Sequence, residues 1–342
     1  MNNKLLAKDK LDDFLAFLKK SHQVYAPVDK GGKCQWSLVD KAEEVCWEFT
    51  NTEMSPKEFF FPQTECMMRF KNKKDDPEGM IMKPEPLLDE ERVLLNIRPC
   101  DAKAFALLDK IFMQDDYTND TYWRDKREKT VLVGLACNDP CSTCFCSFVN
   151  CGPHHEEGLD LLLVDLGQSY LVRVLSEKGG ALVEDLADAD KAEEEAAEAA
   201  RVKAGEMITN GVQTDHIAEK EVLDLFNDAM WDKVYESCLN CGTCTFVCPT
   251  CHCFDIQDEV KGTEGRRVRN WDYCMSWLFT VHGTGHNPRP SKKERVRQRF
   301  MHKFKYIPMK RDGEIGCVGC GRCVQLCPVN IDVREVVNQM NA

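Results

Sequence analysis

This chain of 342 residues lacks several features, and each absence removes a class of function. No apolar run approaches the roughly 20 residues that span a bilayer. Met1–Lys10 has no apolar core, no cleavage signal and no twin-arginine pair, so nothing in it reads as a secretory leader. No phosphate-binding Gly-x-x-x-x-Gly-Lys loop and no Gly-x-Ser-x-Gly nucleophile turn is present. The Gly-x-Gly at Gly283–Gly285 lacks a third glycine and runs into Asn287-Pro288, so it is not a dinucleotide fingerprint. No doubled Cys-Cys-Gly motif of disulfide-reducing cluster enzymes occurs. Excess positive charge is also missing: the formal net charge is −12, which argues against general affinity for nucleic acid. These absences lead us to expect a cytoplasmic chain with reduced thiols, no membrane contact, and no flavin or NAD of its own.

Cysteine is abundant, with 20 residues. Two copies of one pattern stand out: Cys238, Cys241, Cys244, Cys248 before Pro249, and Cys317, Cys320, Cys323, Cys327 before Pro328. Both read C-x2-C-x2-C-x3-C-P, the run that holds a [4Fe–4S] cluster. Cysteines at i, i+3 and i+6 on a tight loop aim three sulfurs at one cubane. The fourth begins a helix that points away and ligates the cluster of the other run. The proline suits a first helical turn, where no amide donor is needed. Crossed ligation is therefore expected: Cys238, Cys241, Cys244 and Cys327 on one cluster, Cys317, Cys320, Cys323 and Cys248 on the other. Zinc is the alternative, since C-x2-C pairs also bind it. Zinc needs neither the third cysteine of each run nor the proline.

A third set gathers from two places. Cys100 sits where a strand meets a helix, and Cys137, Cys141, Cys144, Cys146 and Cys151 crowd the loop after the next strand. Four of the six suffice for a third [4Fe–4S] cluster; free or zinc-bound thiols are the other reading. Cys251, Cys253 and Cys274 read as small buried packing groups near the clusters, with a ligand role as the alternative. Cys34, Cys46 and Cys66 read as core thiols. Arg289–Arg311 carries ten Lys/Arg and one Glu. It reads as a solvated helix face, as cations compensating the anionic clusters, or as a nucleic-acid contact.

The pattern of apolar residues places an amphipathic helix over Leu5–Ser21 and strands at Val24–Pro27, Cys34–Val39 and Val45–Phe49. A helix start or turn follows at Ser55–Glu58, and a loop over Lys71–Lys83. Val93–Ile97 and Thr130–Leu135 are buried strands, with a helix over Ala102–Met113 capped by Asp101. Leu159–Asp165 and Ser169–Leu175 form a hairpin, Glu184–Ala204 an exposed helix or linker, and Val222–Tyr235 a helix. The fold class is α+β. An N-terminal α/β domain (1–182) with a cysteine-rich cluster loop is joined by a charged helical linker (183–216) to a mostly helical, ferredoxin-like two-cluster domain (217–342).

The chain also resembles a known family. Tyr25-Ala-Pro-Val, Ser55-Pro-Lys-Glu-Phe-Phe-Phe, Arg98-Pro-Cys-Asp101, Thr143-Cys-Phe-Cys146 and Cys248-Pro-Thr-Cys-His-Cys-Phe254 carry the likeness. So do Trp271-Asp-Tyr-Cys274, Gly285-His-Asn-Pro-Arg-Pro290 and Cys317-Val-Gly-Cys-Gly-Arg-Cys323. They are similar to the iron–sulfur beta subunit of soluble NAD(P)-linked hydrogenases (sulfhydrogenases). The same family holds an iron–sulfur subunit of anaerobic sulfite reductase and one of the flavin oxidoreductases linked to heterodisulfide reductase. The resemblance implies that Cys100, Cys137, Cys144 and Cys146 hold the third cluster, with Cys141 and Cys151 departing from the family pattern. It implies electron relay, not catalysis; the number of thiolate-bound clusters leads us to expect an anaerobic cell. The partners it implies are a flavoprotein subunit that handles NAD(P)H and a catalytic subunit of hydrogenase, sulfite reductase or heterodisulfide reductase type. A cluster-bearing nucleic-acid-binding or regulatory protein using 289–311 is the alternative.

Overall fold

The computed structural model describes residues 2–72, 80–114 and 119–342. The chain opens not with one long helix but with a strand, β1 (Lys4–Ala7), a 3-10 turn, and α1 (Leu11–Leu18). The helical spacing is real only from Leu11: Phe14, Leu15 and Leu18 are buried on one face, while Lys4–Ala7 pairs with a neighbouring strand. β2 (Gln23–Asp29) and β3 (Cys34–Leu38) form a hairpin. Val45–Phe49 is not a strand; only Val45 makes a bridge, to Val28. Pro56–Phe59 is a 3-10 turn with proline in its first turn.

β4 (Thr64–Asn72) and β5 (Met80–Pro84) occupy the flanks of the segment expected to be a loop; residues 73–79 lie outside the described part. β6 (Arg92–Ile97) and β7 (Thr130–Leu135) are buried at every position, as a strand covered on both faces must be. Between them lie α2 (Pro99–Phe112) and α3 (Thr121–Glu128), the latter capped by Asp120 and not anticipated. The N-cap of α2 is Arg98, not Asp101, with Pro99 at the start of the first turn. Asp101 lies inside that turn and pairs elsewhere. β8 (Leu161–Asp165) and β9 (Ser169–Val174) form the expected hairpin, followed by α4 (Glu177–Gly180), β10 (Ala187–Asp188) and α5 (Lys191–Glu206).

One sheet has the order β10-β1-β9-β8-β7-β6-β2-β3, parallel across β2, β6, β7 and β8 and antiparallel elsewhere. Alternation along its strands fills two cores. Val93, Leu95, Val131, Val133, Leu161 and Leu163 face α1. Leu94, Leu132, Leu162 and Val164 face Phe105, Leu108 and Phe112 of α2, Trp123 of α3 and Ala197 of α5. α5 is therefore not fully solvated, because its small residues Ala197 and Ala204 are buried.

Four short helices lead on: α6 (Asp215–Glu219), α7 (Val222–Asn227), α8 (Met230–Val234) and α9 (Thr243–Phe246). The helix expected over Val222–Tyr235 is broken at Asp228, whose backbone is extended and whose side chain accepts from Met230 N. An unforeseen hairpin, β11 (Phe254–Lys261) and β12 (Glu264–Trp271), then returns to the N-terminal half. It makes the antiparallel sheet β11-β12-β4-β5. α10 (Lys292–Met301), a π-helical turn (His302–Tyr306), α11 (Ile307–Lys310), α12 (Arg322–Gln325) and α13 (Val333–Asn341) complete the chain. The molecule is a mixed α+β protein with a ferredoxin-type domain at its C-terminus. Among the described residues, no helix is long and apolar enough to cross a membrane.

Candidate iron–sulfur centres

The two Cys-Pro runs fold as the same loop. In each, the second cysteine is flanked by left-handed residues: Asn240 (φ 55°) and Gly242 (φ 78°) around Cys241, Gly319 (φ 64°) and Gly321 (φ 74°) around Cys320. Gly242 and Gly321 are then the N-caps of α9 and α12, which carry the third cysteine of each run. Only glycine or asparagine holds these backbone conformations cheaply. The first cysteine accepts from the backbone at the same offset in both loops: Asn240 N lies 3.4 Å from Cys238 Sγ, and Gly319 N 3.5 Å from Cys317 Sγ. Ile331 N lies 3.2 Å from Cys327 Sγ, and the Thr250 hydroxyl, which donates to Gly316 O at 2.9 Å, lies 3.3 Å from Cys248 Sγ. The amide donors favour thiolate over thiol.

The loops enclose two cavities. One is lined by Cys238, Cys241, Cys244 and Cys327, with apolar walls from Met275, Val296, Phe300 and Ile331. The other is lined by Cys248, Cys317, Cys320 and Cys323, with Phe145, Val318, Arg299 and Lys303. Cys323 also borders the first. The fourth cysteine of each run thus lies with the other run's loop. Among the described residues, no three His, Cys, Asp or Glu side chains are placed to hold one metal ion. A tetrahedral zinc site needs all its sulfurs about 2.3 Å from one centre, whereas a four-iron cubane spreads its thiolates around a larger core. Four cysteines around an apolar-walled cavity fit the larger group.

The structure brings all six N-terminal cysteines to the C-terminal ends of the parallel strands β6 and β7, where open α/β sheets gather their ligands. The chain turns there because Asn96 takes φ 62° and breaks the β6–β7 register before Ile97. Cys100 is buried in the first turn of α2 beside Val318 and Cys320. Phe145 N bonds Gly319 O at 2.9 Å, which seats the 141–151 loop on the second Cys-Pro loop. Burial first, then Asp101, pushes the Cys100 thiol well above its ordinary value; burial also raises Cys137 and, to about 12, Cys146. The hydrogen bond between Cys141 and Cys144 pulls Cys141 below the ordinary range and drives Cys144 above it. Cys141 and Cys151 stand among the other four, so placement alone does not separate ligands from neighbours.

The remaining cysteines divide. The base of the β11–β12 hairpin, where Asp272 N bonds Cys253 O at 3.0 Å, sets Cys253 against Cys274. Cys251 lies against Cys248, with Arg299 Nη1 at 3.5 Å from its sulfur. Cys34 of β3 and Cys46 meet at 3.0 Å, and burial with this contact raises Cys46 to about 12.

The basic segment is not a solvated face. Of its ten cations, Arg295, Arg297, Arg299, Lys303 and Lys305 are buried. Arg299 Nη2 bonds Cys244 O at 2.6 Å, and Lys303 Nζ bonds Thr250 Oγ1 at 2.6 Å and Gly316 O at 2.9 Å. Burial opposes both charges, but nearby cysteines outweigh it and raise both above their ordinary values, Cys244, Cys251 and Cys248 at Arg299 and Cys248, Cys251 and Cys317 at Lys303. Two polar residues of the region lie in stretches that carry the family likeness, but the sequence assigned them no role. Lys57, from the 3-10 turn of the N-terminal half, reaches Cys248 O at 3.2 Å and Cys251 O at 2.8 Å, its ammonium 4.0 Å from the Trp271 ring. Arg322, inside the second run, forms a bidentate pair with Asp101 at 2.6 and 2.7 Å, both residues 1% exposed.

Residues 237–331 match the 4Fe-4S dicluster domain family. Over 338 residues the chain is 30% identical to sulfhydrogenase 2 subunit beta of Pyrococcus furiosus, spanning 96% of this chain and 95% of that one. The chain belongs to the sulfhydrogenase beta-subunit family. The dicluster match of this sulfhydrogenase beta-type chain covers both Cys-Pro runs and the hairpin and α10 between them. No solved structure matches it.

Proposed function

We propose that this protein is an iron–sulfur electron-transfer subunit of a multisubunit oxidoreductase, in which electrons pass singly through three [4Fe–4S] centres. The continuity of the cysteine groups carries this reading. Cys320 lies against Cys100, and Cys323 borders both C-terminal cavities, so the groups form one path. The path begins at the inner sheet ends and reaches solvent at Cys241, with Leu239 beside it 65% exposed.

Cys238, Cys241, Cys244 and Cys327 would hold one centre, Cys248, Cys317, Cys320 and Cys323 the second, and Cys100, Cys137, Cys144 and Cys146 the third. A bound cubane supplies reversible one-electron storage. The chain's own residues exclude water with Phe145, Phe300 and Met275, orient the thiolates through the paired loop amides, and supply buried positive charge. Hydride chemistry would belong to a partner flavoprotein, because splitting a hydride into single electrons needs a flavin. The relative's name places a subunit of this family in a sulfhydrogenase, so a hydrogenase-type catalytic subunit is the partner favoured on the other side. The nucleic-acid reading loses support, because half of the cations it relied on are buried and unavailable to phosphate.

Anaerobic mixing tests the relay. NADH alone should leave the visible absorbance of the purified chain oxidised, and adding the NAD(P)H-oxidising flavoprotein that co-purifies with it should bleach it. Bleaching by NADH alone, with no flavin detected, would overturn the assignment.

A further inference from the structure

Buried positive charge with no buried negative charge beside it is costly and calls for a counter-charge. Lys57, Arg299 and Lys303 are 2%, 5% and 6% exposed. Among the described residues, their hydrogen-bond partners are all neutral: the Cys248 and Cys251 carbonyls for Lys57, the Cys244 carbonyl and the Cys251 thiol for Arg299, the Thr250 hydroxyl and the Gly316 carbonyl for Lys303. The buried arginines elsewhere that meet acids are neutralised by them, Arg322 by Asp101 and Arg269 by Glu65 and Asp120. Arg98, Arg295, Arg297 and Lys305 are also buried on neutral partners, but Lys57, Arg299 and Lys303 come from separate parts of the chain, the 55–61 segment, α10 and the π-helical turn. All three converge on the stretch from Cys248 to Cys251.

We propose that Lys57, Arg299 and Lys303 together are the counter-charge of the centre at Cys248, Cys317, Cys320 and Cys323 and make it the highest-potential centre of the chain, where a single transferred electron rests. This rests on the relay reading above. One-electron reduction adds one negative charge and alters no bond at these side chains; the electron comes from the donor protein of the relay. Fixed cations stabilise the reduced state more than the oxidised state, and the gain is large where water is excluded. The other two groups are less favoured. The cavity of Cys238 shares Arg299 but opens at the exposed Cys241, where water screens charge. The Cys100 group has Arg98, bonded to the Leu135 and Ala136 carbonyls, while its second arginine, Arg322, is neutralised by Asp101.

An anaerobic redox titration of the full chain, followed by electron paramagnetic resonance, tests this. The signal with the highest midpoint should be the one altered by Cys320→Ser and not by Cys238→Ser. In Lys303→Met and in Lys57→Met that midpoint should fall so that the reduced-to-oxidised ratio at a fixed potential drops about tenfold, about 59 mV for one electron. Lys303→Arg, which keeps the charge, should stay near wild type. Lys305→Met is the control: this lysine is equally buried, but it bonds the carbonyls of Ile217, Ala218 and Lys220, away from the sulfurs. It should move no midpoint. If Lys303→Met does not load iron, Lys57→Met carries the same test from another segment. An unchanged midpoint in iron-replete Lys303→Met or Lys57→Met, or an equal fall in Lys305→Met, overturns the proposal and leaves the relay standing. A wild-type chain without cubane signals overturns both.

Discussion

Asp101 and Arg322 show how much one pair of side chains carries. Asp101 leaves the first turn of α2, Arg322 sits inside the second Cys-Pro run, and Arg322 also holds the Thr52 carbonyl at 2.8 Å. Removing one partner of a buried pair leaves the other charge uncompensated, at a cost of about 3–5 kcal/mol. Asp101→Asn should therefore destabilise the chain by that order in anaerobic guanidinium unfolding, and Asp101→Leu with Arg322→Met should recover part of the loss. Equal loss in the single and double variants would mean that the pair is not the source. His154 gives a pH prediction. It is buried, bonds Asn138 Oδ1 at 2.9 Å, and burial lowers its pKa to about 4. An unfolded histidine titrates near 6.5, so the unfolded state binds the extra proton between these values. Its stabilisation is present above about pH 6.5 and is lost as pH falls toward 4. Between pH 7.5 and 5 this amounts to about 2 kcal/mol. His154→Gln should shrink the fall in unfolding free energy over that range by the same order.

At the scale of elements, the cluster loops are determined by backbone geometry. A Cβ on Gly319 would lie 2.5 Å from the Cys146 Cα, and one on Gly321 2.5 Å from Thr143 Oγ1, both at positive φ. Gly319→Ala should lose iron from the second centre and loosen the neighbouring N-terminal group, seen as a fall in iron per chain. Gly283→Ala, where no atom lies within 4 Å, should keep the wild-type iron content. The elements misread from the sequence share a cause. In the β11–β12 hairpin only Phe254, Ile256 and Val260 alternate as apolar residues along β11, Asp258 interrupts them, and β11 is exposed throughout, so the signal is weak. Its strand character comes from pairing with β4, which is remote in sequence. Lys4–Ala7 fits the helical spacing of the residues after it, but its backbone is claimed by β9 and β10. Asp101 has the right residue type for a cap, but Pro99 starts the helix earlier.

For the whole molecule, the cysteine groups join the two halves. The 141–151 loop seats on Gly319, Lys57 crosses to Cys248, and β11–β12 adds two strands to β4–β5. Three cubanes of four irons each predict about twelve irons per chain in the anaerobically reconstituted protein. About eight would leave only the dicluster domain loaded. Cys144→Ser should lose about four irons, whereas Cys141→Ser and Cys151→Ser should lose none.

The sequence by itself determined the dicluster chemistry, because thiolate spacing and the following proline are local properties that survive without knowledge of the fold. It also determined the buried parallel strands, whose apolar runs are equally local. Tertiary structure alone decided which of the ten cations between Arg289 and Arg311 are buried, since α10 turns Arg295, Arg297 and Arg299 inward against sulfurs and carbonyls. It also decided that Lys57 and Asp101 belong to the centres. Both lie far along the chain from their partners, the Cys248 carbonyl and Arg322, and such side chains meet their partners only when the fold has closed.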